Sequence, residues 1–123
     1  MRLGVLSDLH ANLPALEAAL EALRAEGVDE VLVLGDLVGY GPHPRQVIHR
    51  IWEEGLAAIA GAWDLRVAYP LPGPLPEGVG KATLEWTRAQ LGEKELAYLR
   101  SLRLSHRKSY GGMRLVAFHG KPG

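Results

Sequence analysis

With 123 residues the chain holds one domain's worth of material, enough for a single modest core. An apolar content of 47% excludes wholesale disorder, and 14 basic residues against 14 acidic ones give no electrostatic sign of a nucleic-acid partner. The lack of cysteine excludes disulfides and thiolate zinc sites, and no apolar run approaches the roughly 20 residues of a membrane span, so a soluble, cytoplasmic protein is expected.

Residues 2–7 read as a buried strand, a short apolar run ending in a turn. Asn12 is placed to cap a helix, with Pro14 in its first turn, Leu16, Leu20 and Leu23 on one face and Gly27 as its stop. Val31–Leu34 is a second buried strand, so the order β-α-β predicts parallel pairing. A Gly- and Pro-rich loop, 35–44, precedes a short helix marked by Val47, Ile48 and Ile51, and Leu56–Ala60 reads as a third strand. Residues 69–80 carry four prolines and read as a surface loop or lid without regular structure. Two helices follow, near 81–91 and 93–102, separated by Gly92. A hairpin then turns at Gly111-Gly112 and runs through Phe118. Arg103, Arg107 and Lys108 form a small basic patch, read as a solvated part of that hairpin.

Three apolar runs stop on residues that bind metals: Asp8 and His10 after the first strand, Asp36 after the second and His119 after the last. In open α/β sheets, ligands bind outside the carboxyl ends of strands, so these four side chains are expected to converge. Asp8 and His10 lie two apart and, on a continuing strand, point to one side. Carboxylate with imidazole suits Mn, Fe, Zn or Ni rather than an all-oxygen calcium site. His43 and His49 have no ligand partner at useful spacing and read as structural. Tyr40, between two glycines after Asp36, reads as a pocket-rim residue that could touch substrate.

Ser7-Asp8-Leu9-His10-Ala11-Asn12, then Gly35-Asp36-Leu37-Val38-Gly39-Tyr40-Gly41-Pro42, then Phe118-His119-Gly120 resemble the calcineurin-like metallophosphoesterase family, and more narrowly its small bacterial and archaeal phosphoesterases. The resemblance covers the chain, which corresponds to about the N-terminal half of a family member. It implies an α/β fold, here a partial α/β/β/α sandwich with a parallel β-α-β start and a C-terminal hairpin, in one apparently truncated domain, 1–123. It also implies that Asp8 and His10 hold a first divalent metal, that Asp36 bridges two metals and carries the catalytic role, and that His119 holds the second. The same resemblance implies that the substrate is a small phosphomonoester or phosphodiester.

Two departures from the family pattern weaken that expectation. The family's Gly-Asn-His-Asp stands here as Gly61-Ala62-Trp63-Asp64. Alanine has no donor atom, and an indole N–H cannot serve as a general acid near neutral pH, a loss of about 10²–10⁴ in rate. The family's closing Gly-His-x-His motif has no counterpart before Gly123. One metal is therefore expected, and two only where another chain completes the site. Trp63 is read as a substrate-stacking residue and Asp64 as a support for the loop. An uncovered sheet face predicts a homo-oligomer. A non-catalytic metal- or phosphate-binding module is the rival reading. Arginine outnumbering lysine, with frequent Pro and Ala, leans toward a heat-adapted source.

Overall fold

The first two apolar runs form β1 (Leu3–Leu6) and β2 (Glu30–Val33), paired in parallel from Leu3 opposite Glu30 to Leu6 opposite Val33. Between them runs α1 (Leu13–Ala25), whose first turn is closed by the Asn12 side chain accepting from the Ala15 amide at 3.1 Å. The computed structural model describes residues 1–69 and 78–120. From β2 the chain passes through α2 (Pro44–Glu53) to β3 (Ala57–Ala58), which adds to β2 in parallel and completes a sheet of order β1-β2-β3.

The third strand is shorter than the Leu56–Ala60 expected from the apolar run. Only two residues keep ladder register; beyond them Ile59 bridges to Arg103 and the Ala60 amide donates to the Arg103 carbonyl at 2.9 Å. A short helix, α3 (Ala62–Ala68), follows at once where no helix was expected. Then come α4 (Val79–Gln90) and α5 (Glu93–Ser101), matching the two predicted helices, with α4 starting slightly earlier than the periodicity indicated. The stretch 69–80, expected to lack regular structure, falls mostly outside the described residues, although Val79 and Gly80 belong to α4.

Leu16 and Leu20 of α1, Val47, Ile48 and Ile51 of α2, Val67 of α3, Leu84 of α4 and Leu99 of α5 close one core over Val33. The predicted hairpin is present as β4 (Ser105–Tyr110) and β5 (Met113–Phe118), turning through Gly111 and Gly112, both at positive φ. Lys108 reaches from β4 to Glu30 at 3.0 Å and ties the hairpin to β2. At the far end of β5, His119 Nδ1 meets the Leu34 carbonyl at 2.6 Å, which brings the third strand end expected to carry a ligand beside the second.

Candidate metal centre

β1 ends at Leu6, so Asp8 and His10 do not sit on a continuing strand as the two-residue spacing suggested. The backbone turns through left-handed conformations at Asp8 (φ 55°), His10 (φ 45°) and Ala11 (φ 55°). Amides of this turn dock on carbonyls beyond β2: Asp8 on Gly35 at 3.0 Å, His10 on Asp36 at 2.9 Å and Ala11 on Leu37 at 2.8 Å. Two strand-end turns are thus laced together, and the lacing, not strand alternation, turns the two side chains inward. Gly61 approaches so closely that a Cβ there would collide with the amide and carboxylate of Asp36.

His10 Nε2 lies 3.7 Å from Asp8 Oδ1 and 3.8 Å from Asp36 Oδ2. Among the described residues, Asp8, His10 and Asp36 are the one group of three with ligand atoms all within 4.8 Å of one another. Separations near 3.8 Å are too long for hydrogen bonds. They suit donors sharing one cation, since bonds of about 2.1 Å place two ligands at most about 4.2 Å apart. Asp36, only 6% exposed, uses Oδ1 to accept the Trp63 amide at 3.0 Å, which leaves Oδ2 for the cluster.

His119 joins from β5, with Nε2 3.3 Å from Asp36 Oδ2. Its Nδ1 is engaged by the Leu34 carbonyl, so Nε2 is the atom presented to the carboxylate. The expected convergence of three strand ends is therefore present. Two carboxylates and an imidazole, with a second imidazole against Asp36, match the donor chemistry of a divalent transition metal, and among the described residues the buried Nδ1 of His10 has no hydrogen-bond partner.

The electrostatics follow from these contacts. The Ser7 hydroxyl, 2.7 Å from Asp8 Oδ2, holds that carboxyl below its ordinary range, with help from His119. Partial burial pulls the His119 imidazole down, but the Leu34 carbonyl and the charges of Asp36 and Asp8 outweigh it and raise its pKa. Asp64 is fully buried and clasps three amides: Leu37 at 2.9 Å, Val38 at 3.2 Å and Gly61 at 2.9 Å. Burial pushes its carboxyl up to about 6 despite those donors. The clasp joins the segment after Asp36 to the start of α3, which makes Asp64 a larger structural element than a loop support.

The rim is aromatic. Tyr40 stands edge-on to His10, with ring centroids 5.7 Å apart, and edge-on to Trp63 at 4.7 Å. The Arg66 guanidinium lies over the Trp63 ring, 5.3 Å from its centroid. The sequence marked neither Arg66, three residues on from Trp63 on the same helix α3, nor Thr83 of α4, whose hydroxyl accepts the Tyr40 amide at 2.8 Å. Ala62 is exposed and brings no donor; it lines a cavity of about 650 Å³ together with His119, Arg107 and Phe118. His43 accepts from the Leu13 amide at 3.4 Å, and His49 stacks on Trp52, so both stand apart from the cluster.

A parallel three-stranded start, strand-end turns laced together and an Asp-His-Asp cluster define an α/β domain with a candidate metal site. The chain belongs to the calcineurin-like phosphoesterase superfamily, whose domain it matches over residues 1–122. Its fold is similar to that of a metallophosphoesterase from Sphaerobacter thermophilus, at 38% identity and a TM-score of 0.69, over 86% of this chain and 43% of that one. Protein PH1004 of Pyrococcus horikoshii OT3 is similar at 32% identity and a TM-score of 0.80, over 93% of this chain and 52% of that one. Phosphodiesterase YfcE of Escherichia coli K12 is 34% identical over 68 residues, 49% of this chain and 37% of the relative. The chain spans about half the length, or less, of the curated relatives it matches. Among the described residues, no helix is long and apolar enough to cross a membrane.

Proposed function

We propose that this chain carries the metal-dependent hydrolysis of phosphate esters, monoester or diester, with Asp8, His10 and Asp36 as ligands of one divalent cation. The carrying observation is the grouping of those three side chains within 4.8 Å at the joined ends of β1 and β2. Manganese, iron, zinc or nickel fits the mixed oxygen and nitrogen donors. When bound, such an ion supplies Lewis-acid charge to phosphoryl oxygens and acidifies water. Asp36, whose Oδ1 accepts the Trp63 amide, keeps Oδ2 free beside His10 and His119 and is assigned the catalytic role. His119 adds an imidazole against Asp36; with Ala62 beside it, the second position has few donors, so one ion per chain is expected and turnover is slow. A second ion requires ligands from another chain. Tyr40 and Trp63 form the substrate side of the rim.

The half-exposed Val5 on β1 and Val116 on β5, with Leu104 more exposed still, leave apolar sheet surface uncovered. This supports association into a homo-oligomer, which gel filtration with light scattering tests. The donor-poor Ala62 and Trp63 favour the second reading, a metal- or phosphate-binding module without turnover. Mn-stimulated hydrolysis of p-nitrophenyl phosphate and its bis-ester separates the two. Activity lost in Asp36→Asn supports the enzyme; no activity with one ion bound per chain supports the module.

A further inference from the structure

We infer that the site selects phosphate esters whose organic group is a planar aromatic ring, and that Tyr40 is the platform on which that ring stacks. This rests on the phosphoesterase reading above and adds the substrate class. Tyr40 is 54% exposed, so it is not there to fill the core. Its backbone nevertheless sits at φ 66°, a conformation a bulky side chain rarely adopts. Such strain persists only where the surroundings over-determine it. Here they do: Gly41 is packed so closely that a Cβ would strike the His10 carbonyl, Gly39 abuts Trp63, and the Tyr40 amide is pinned to Thr83 Oγ1 at 2.8 Å.

The three aromatic side chains have different roles. Arg66 covers Trp63, and the Tyr40 and Trp63 rings meet at 68°, so Trp63 is the buttress. Tyr40 meets His10 at 75° as well, so neither neighbour lies flat against it. A ring stacked on Tyr40 would sit beside His10, with its phosphate directed to the Asp8–His10–Asp36 cluster. Aliphatic esters have no π-face to offer and gain nothing from that surface.

The test is calorimetric titration of the Mn²⁺-loaded full chain with phenylphosphonate and cyclohexylphosphonate, which are similar in size but differ in planarity. Stacking on an aromatic side chain predicts about tenfold tighter binding of the phenyl compound. Tyr40→Phe keeps that ratio. Tyr40→Asn, whose side chain tolerates a left-handed backbone, brings it to about one; Tyr40→Gly replaces it should the Asn variant fail to fold by circular dichroism. Equal binding of the two phosphonates by the parent chain, or an undiminished ratio in the folded Tyr40 variants, overturns the inference while leaving the phosphoesterase reading intact. Failure of every phosphonate to bind the Mn²⁺-loaded chain overturns both.

Discussion

Replacing Asp64 by alanine tests whether its clasp is what shapes the turns that carry the proposed ligands. The side chain is fully buried and satisfies the amides of Leu37, Val38 and Gly61, none of which has another acceptor among the described contacts. A buried amide left without a partner costs about 1–3 kcal/mol, so three of them predict a loss of about 5 kcal/mol where Asp64 folds in its neutral form. The loss depends on pH with a definite sign. Asp64 has its pKa raised from 3.8 to about 6, so the folded state binds a proton that the unfolded chain releases. The parent's stability from this group is therefore full below about 4 and lost as pH rises through 6, by about 3 kcal/mol at 1.36 kcal/mol per unit. The alanine variant has no such titration. Its deficit should shrink from about 5 kcal/mol at pH 4 to about 2 kcal/mol at pH 7.5, the latter a fall in Tm of about 8 °C. Urea unfolding followed by circular dichroism, with a chelator present throughout, measures both values. A deficit below about 0.5 kcal/mol at both pH values, or one that grows with pH, refutes the reasoning.

Gly61→Ala drives a Cβ into the amide and carboxylate of Asp36; it should cost about 1–3 kcal/mol of stability and weaken Mn²⁺ binding, both readable in one thermal-shift series with and without metal. His119 has its pKa raised by the Leu34 carbonyl and Asp36, so its proton competes with a cation near neutral pH. Mn²⁺ affinity should therefore tighten as pH rises from 6 to 8, and calorimetry on His119→Gln should show a flatter profile. Ala62→Asn adds a donor at the wall of the cavity that His119 lines; a rise in bound metal per chain, read by elemental analysis after desalting, is the expected outcome. An unchanged count would sink the idea that Ala62 limits the site to one ion.

Much of the fold was legible because its signals are local. Asn12 and Pro14 start α1 as their chemistry dictates, and continuous apolar runs identify β1 and β2 as buried parallel strands. The α3 helix escaped because it has seven residues and its cap, Gly61, has no side chain; its start is fixed instead by Asp64 reaching back to the Gly61 amide. The grouping of Asp8, His10 and Asp36 was foreseen from the strand ends, but Asp8 and His10 turn to one side for a reason the spacing did not give. Strand alternation was expected for Asp8 and His10, whereas three of the four residues from Asp8 to Ala11 adopt positive φ, and hydrogen bonds to the 35–37 turn hold them there. Such lacing joins segments some 27 residues apart, and no local pattern encodes it. The same holds for the Tyr40 rim, where Thr83 acts from a helix far along the chain.

The most direct measurement is a Mn²⁺ titration of the parent chain alongside Asp8→Asn and Asp36→Asn, each verified as folded, with bound ion counted by electron paramagnetic resonance. One ion per chain in the parent, with affinity lowered at least about tenfold in both variants, is the predicted result. Parent and variants binding alike, or no binding by a folded parent at millimolar metal, would contradict the claim that these side chains share a cation.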